Sequence, residues 1–241
     1  MQTVNGLTKA ILSFAFAALL AAPVSAASIT GTFNLAGTAV GTTGGVTFYL
    51  TASGDNTALD VMPTTGSFTD ITPGTPETIR PLTSANGVTP GTPFNFANWI
   101  SLSDGIDLSA TFIPIPSFPV CSATGTEAIG YECIVNAASP VVLTQNDNGV
   151  SARLNVDGQA YYAASPTSAV SYVALFTAPT TGYSTIAAFE TYYDANNGIP
   201  PVSYSGSLTV TPEPETFALL GGGLLILVGA CRRFKLRRND S

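Results

Sequence analysis

The sequence predicts an all-β protein: an antiparallel β-sandwich, jelly-roll-like, with an N-terminal signal helix and one C-terminal transmembrane helix. Three observations predict it. Stretches of period-2 alternation recur through the middle of the chain, as half-buried strands require. The composition there is rich in Thr, Ser, Gly, Val and aromatic residues and poor in helix formers. Two short apolar runs stand apart from this pattern, one at each end. The chain therefore divides into residues 1–26, 27–210 and 211–241.

Residues 1–26 have the three regions of a secretory signal. Lys9 and the amino terminus supply positive charge, Ala10 to Ala22 is apolar, and Val24-Ser25-Ala26 is a small-residue cleavage site. The mature chain then begins at Ala27. The run is short for a membrane helix.

The middle segment is long enough for one sizeable core. Its clearest strand is VSYSGSLTVT, in which Val202, Tyr204, Gly206, Leu208 and Val210 alternate with hydroxyl residues. ITGTFNLAG sets Ile29, Gly31, Phe33 and Leu35 against Thr30, Thr32 and Asn34, and GGVTFYLTA sets Val46, Phe48 and Leu50 on one face. SAVSYVALFT is apolar on both faces and reads as a central strand. RLNVDGQAYY places Asp157-Gly158 between strand-like runs, a hairpin signal. STIAAFETYYDA has β-branched and aromatic content that favours a strand over a short helix. MPTTGSFTDITPGTPETIRPLTSANGVTPGTPFN reads as a long loop because Pro63, Pro73, Pro76, Pro81, Pro90 and Pro93 punctuate it. No clean internal repeat is present, which disfavours a solenoid.

Charge narrows the function classes. Between residues 27 and 215 two arginines, Arg80 and Arg153, stand against fourteen carboxylates, a net charge of −12, with no lysine. Nucleic acid is not an expected partner, because phosphate binding needs cations. Cys121 and Cys133 lie in this exported part and suggest one disulfide in an oxidising compartment. A zinc site is disfavoured, since the chain has no His and only two candidate thiolates.

Chemistry is sparse. Without His the usual base for a Ser or Cys nucleophile is missing, and no G-x-S-x-G, phosphate-binding loop or dinucleotide fingerprint occurs. No catalytic residue, metal site or cofactor is expected. Asp104 with Asp107, or Glu127 with Glu132, are candidate carboxylate pairs for a glycoside hydrolase. Asn146, Asp147 and Asn148, and also Asp194, Asn196 and Asn197, offer oxygen ligands for calcium. The same residues are the ordinary turn formers, and that reading is preferred. Trp99, Tyr161, Tyr162, Tyr192 and Tyr193 are candidates for a sugar-stacking face, although such residues more often fill a sandwich core and its rim.

The tail carries the sharpest signal. Phe217 to Cys231 is an apolar run that contains Gly221, Gly222 and Gly223. As a helix it reaches roughly 22 Å at ~1.5 Å per residue, short of a ~30 Å bilayer core. It spans if the flanking arginines snorkel and the bilayer thins locally. Arg232, Arg233, Lys235, Arg237 and Arg238 follow at once and read as a basic stop-transfer cluster on the cytoplasmic side. Pro212-Glu213-Pro214 precedes the run; two prolines make it an exposed extended spacer that ends the last strand.

This order of Pro-Glu-Pro, short glycine-rich span, arginine cluster and C-terminus resembles the PEP-CTERM sorting signal. Thr211 stands where such tails often carry Val, and Phe234 interrupts the basic run. Such a tail also goes under the label of an ice-binding protein C-terminal domain; the Thr-x-Thr array an ice-binding face needs has no regular period here. The resemblance covers only the last 31 residues. It implies an exosortase-like enzyme as partner, a precursor that crosses the inner membrane once, and a mature form at the cell surface or outside the cell. It makes a non-enzymatic surface or exopolysaccharide-matrix protein the leading expectation. A carbohydrate-binding or calcium-assisted adhesion module is the runner-up, ahead of a secreted glycoside hydrolase.

The expected precursor is cut twice. Intact-mass spectrometry of the exported form in a host with the sorting enzyme should show loss of Met1 to Ala26 and of the basic tail. A mature species that keeps Arg232 to Arg238 contradicts the second cut.

Overall fold

The computed structural model describes residues 29–42, 45–49, 58–61, 64–71, 76–122, 127–180, 182–198 and 201–210. The expected signal segment, residues 1–26, and the expected transmembrane and sorting tail, residues 211–241, lie outside the described residues. Among those described, no helix is long and apolar enough to cross a membrane.

The chain is mostly antiparallel β. Twelve strands run in the order β1 (Gly31–Thr42), β2 (Gly45–Tyr49), β3 (Ala58–Val61), β4 (Pro76–Ile79), β5 (Leu82–Thr83), β6 (Phe96–Ser101), β7 (Ile106–Phe112), β8 (Glu132–Ile134), β9 (Val141–Asn146), β10 (Gly149–Tyr162), β11 (Ser165–Thr180) and β12 (Val202–Val210). One helix, α1 (Ile186–Asn196), separates the last two. All twelve strands belong to one sheet. Hydrogen-bonded neighbours lead from β10 through β11, β12, β1, β3, β4, β6 and β7 back to β10. The circuit is thin at β1–β3 and β4–β6, where two residue pairs each make the join.

This refines the expected two-sheet sandwich. Inner faces do pack across a common core, but the facing layers are one curled sheet. Trp99 of β6 meets Phe176 of β11 at 5.7 Å between ring centroids, and Phe176 meets Tyr204 of β12 at 5.8 Å. Strand length explains the curling. β10 and β11, at 14 and 16 residues, twist enough to face different partners at their two ends. One edge of β10 pairs with β11 along nearly its whole length. Its other edge serves β9 over residues 149–154 and β7 over residues 157–162.

Most predicted strands are found. β12 alternates buried and exposed residues without exception, with Val202, Tyr204, Gly206, Leu208 and Val210 inward. Gly206 lets the Phe176 ring sit where a Cβ would meet it at 3.0 Å. β11 is flanked by β10 and β12, as a central strand should be. Its outer face nevertheless exposes Val173 and Leu175.

Three expectations are corrected. Asp157-Gly158 is no hairpin: both residues lie inside β10, where the β7 pairing shifts register. A Cβ on Gly158 would stand 2.0 Å from Ser109 O and 2.4 Å from the Tyr172 hydroxyl. The glycine marks a close approach of backbones. The Tyr172 side chain crosses over it to donate a hydrogen bond to Ser109 O at 3.0 Å. STIAAFETYYDA is a helix. Thr185 caps it by accepting from the Ala188 N–H at 3.2 Å, and Asn197 closes it in the left-handed region. Ile186, Phe189 and Glu190 form its buried face at helical spacing. The proline-rich stretch is not all loop, since it contains β4, β5 and two single 3-10 turns, Gly66–Phe68 and Ser84–Asn86. Pro76 is the first residue of β4, where a missing N–H is tolerated.

Cys121 and Cys133 are bridged, with Cα atoms 4.9 Å apart. Closing a loop of this length stabilises by about 3 kcal/mol in the chain-entropy model. Cys133 is fully buried on β8, in a second small core with Leu143, Val150, Ala152, Ile186 and Phe189.

Gly158 is one of the sensitive positions this packing defines. Gly158→Ala should lower unfolding stability by about 3 kcal/mol, because neither the Ser109 carbonyl nor the Tyr172 ring has room to withdraw. Gly105→Ala, at φ +83° with open space around it, should cost only about 1 kcal/mol. Urea unfolding of both variants checks the ranking; equal losses contradict it.

Candidate functional site

The four candidate carboxylates each have partners outside their sequence pairs. The Asp104 carboxylate closes the β6–β7 turn by accepting the Ile106 N–H at 2.9 Å. The acids that face it are Glu77 and Asp70 rather than Asp107. Burial raises the Asp104 pKa above the ordinary carboxylate range; the Ile106 hydrogen bond opposes this, and Glu77 and Asp70 add to it. Its Oδ2 is buried and makes no hydrogen bond among the described residues. Glu77, itself buried, accepts from Ser103 Oγ at 2.6 Å. Glu132 lies on β8, 3.3 Å from Arg153 Nη2. Glu127 instead faces Glu190 of α1, whose pKa is raised by burial and then by Asp194 and Glu127.

The candidate calcium loops are turns. Asn146-Asp147-Asn148 joins β9 to β10, and Asn146 Nδ2 donates to Ser151 Oγ at 2.9 Å. Asn196 Nδ2 donates back to Tyr192 O at 2.8 Å, and Asn197 is the helix cap. Among the described residues no group of three or more His, Cys, Asp or Glu side chains is placed to hold a metal ion.

The aromatic candidates divide. Trp99 is wholly buried in the main core. Tyr161 and Tyr162 lie at the β7 end of β10, where the Tyr161 hydroxyl donates to Asn98 Oδ1 at 2.6 Å. Tyr192 and Tyr193 lie on α1, which packs against β9 and β10; Tyr192 meets Tyr183 and Tyr193 meets Phe189. The five do not form one face.

Sequence reasoning missed two features. Gln145 is buried on β9 and fixes the start of α1. Its Nε2 donates to Ser184 O at 2.9 Å and its Oε1 accepts the Ile186 N–H at 3.1 Å. A glutamine that is buried two residues after Leu143 on the short strand VVLTQN was the available signal. The second is a partly open cavity of about 400 Å³ at the α1 end of the curled sheet. Its walls come from β1, β10, β11 and β12, with α1 and the segment between β8 and β9 over it. It lies between the two cores: Leu82, Leu154 and Phe176 of the larger and Ala152 and Phe189 of the smaller all line it. Tyr204 reaches its wall with its hydroxyl largely buried, and that burial pushes the phenol well above its usual range. No sequence period encodes a gap between two packed clusters.

Fold and site thus define a curled antiparallel β-roll with a largely apolar end cavity. Comparison with family models, curated proteins and solved structures returned no match.

The Asp104 environment has a consequence for pH. A carboxyl whose folded pKa lies above its unfolded value adds stability below the unfolded pKa and loses it as pH rises through the folded pKa. Asp104→Asn keeps the Oδ1 acceptor for Ile106 and removes the charge facing Glu77 and Asp70. The variant should melt above the parent protein at neutral pH, and the gap should close on acidification into the carboxylate range. Parallel melting curves at every pH contradict this.

Proposed function

We propose that the protein is an exported, non-enzymatic component of the cell surface or the exopolysaccharide matrix, delivered by an exosortase-like enzyme. The observation that carries this reading is the tail: Pro212-Glu213-Pro214, then the apolar run Phe217 to Cys231, then the basic cluster from Arg232 to Arg238. In this reading the apolar run is the transmembrane helix that holds the precursor until sorting. The Cys121–Cys133 bridge fits an oxidising compartment outside the cytoplasm. The hydroxyl-rich outer faces of strands such as β12 suit a hydrated, polysaccharide-rich setting. The acidic middle segment, with no lysine, adds solubility and repulsion from anionic surfaces.

Glu213→Ala tests the sorting step. Fractionation of the native host should find the variant at precursor length in the inner membrane and missing from the surface. A tail-free surface form of Glu213→Ala contradicts sorting through this motif. Release of reducing sugar from the host's own polysaccharide by the purified protein contradicts the non-enzymatic reading.

A further inference from the structure

β1 starts and β12 ends at one pole of the roll. Gly31, the first residue of β1, pairs with Val210, the last residue of β12, and Val210 pairs with Tyr172 of β11. Tyr172 in turn pairs with Gly158 of β10. The β10–β11 hairpin does not stop at this level. Gln159 to Tyr162 and Ser165 to Ser171 carry it further, in the direction in which β12 points. Four residues past Gly158, at ~3.3 Å each, raise the tip by up to about 13 Å.

This tip is free of charge. No Asp, Glu, Lys or Arg occurs from Gly158 to Phe189, although the segment 27–215 carries a net −12. Ala163 and Ala164 at the turn are exposed, and Tyr161 and Tyr162 are half-buried at its base. Tyrosine is favoured at membrane–water interfaces. Acids stand beside the tip: Gly105 O in the β6–β7 turn accepts the Ala163 N–H at 2.9 Å, next to Asp104, and Asp107 of β7 pairs with Tyr161.

The chain after Val210 is a short tether. Six residues, Thr211 to Thr216, separate it from the apolar run at Phe217. Fully extended, that stretch reaches at most about 25 Å. The head-group layer takes roughly 6 Å of this, which leaves at most about 20 Å between Val210 and the membrane surface. The hairpin tip covers most of that distance.

We propose that the β10–β11 tip rests in the zwitterionic head-group layer of the bilayer that holds the chain's own tail. The inference rests on the reading of residues 217–231 as a membrane span and adds the pole that faces the bilayer. Asp104 and Asp107 beside the tip, and Glu213 and Glu215 in the tether, favour a zwitterionic over an anionic surface.

The test uses the full chain in phosphatidylcholine nanodiscs. In a Cys231→Ser background with the Cys121–Cys133 bridge intact, one added cysteine at a time carries a fluorophore. Ala164→Cys marks the tip, Asn148→Cys the β9–β10 turn at the opposite pole, and Leu224→Cys the middle of the apolar run. A nitroxide on the lipid head group should quench the dye at 164 and leave the dye at 148 bright. A nitroxide deep in the acyl chains should quench the dye at 224. Inserting about twelve Gly and Ser residues after Val210 lengthens the tether by roughly 20 Å, and should reduce quenching at 164 while sparing that at 224. Adding phosphatidylglycerol should weaken quenching at 164, and salt should restore it. Quenching at 224 without quenching at 164 overturns the proposal and leaves the spanning tail standing. Quenching at neither position removes the spanning tail and the proposal with it. Equal quenching at 164 and 148 overturns the choice of pole, and stronger quenching at 164 with the anionic lipid overturns the choice of surface.

Discussion

The architecture hangs on β10 and the contact it makes through Gly158. One edge of this strand is given to β11, and the other is divided between β9 and β7. Two branches of the sheet meet there, and the register shift beside Gly158 lies on the β7 branch. The shift works only if backbones approach within what a side chain would forbid, and Tyr172 then locks the approach by hydrogen-bonding Ser109 O. Burial, reinforced by Asp157 and Tyr161, holds the Tyr172 hydroxyl far above its usual pKa, so it stays a donor. The curl of the sheet, the closed circuit of pairings and the separation of the two cores all follow from this division.

That separation creates the cavity. A sheet wrapped around one core would pack its centre to the density of an organic crystal. Here β10 leaves the main core on its way to β9, and a second, disulfide-linked cluster forms under α1. The gap between them cannot be filled by side chains already committed to either side.

What could be read from the sequence depended on distance along the chain. β12 was legible because its partners impose a strict period of two, and β1 was legible where Phe33 and Leu35 are buried on either side of exposed Asn34. The disulfide was legible because two cysteines between residues 27 and 210 leave one pairing. Asp157-Gly158 misled because a glycine at a backbone approach and a glycine in a turn look alike locally; only Ser109, far away in sequence, tells them apart. α1 was mistaken for a strand because its aromatics suit either state. Its decisive partners, Gln145 and the Thr185 cap, lie outside the apolar pattern. The carboxylates were found one by one, but their groupings were not. Glu77 raises the Asp104 pKa and Glu127 raises that of Glu190, across stretches of chain that no spacing rule spans. The cavity is the extreme case, since it is a property of what two clusters fail to fill.

The circuit of pairings also orders the events of folding. β12 pairs with β1 on one side and β11 on the other, so the first strand waits for the last. A chain delivered amino terminus first exposes an unpaired edge on β1 until residues 202–210 arrive. Its contacts are non-local, and such topologies fold slowly while leaving strand edges open to aggregation. The glycines and threonines of β1, GTFNLAGTAVGT, are a weak template for promiscuous pairing. Dilution of apolar content in the first strand is thus a safeguard for the interval before closure, and a factor that binds nascent β1 during that interval would shorten the exposure further.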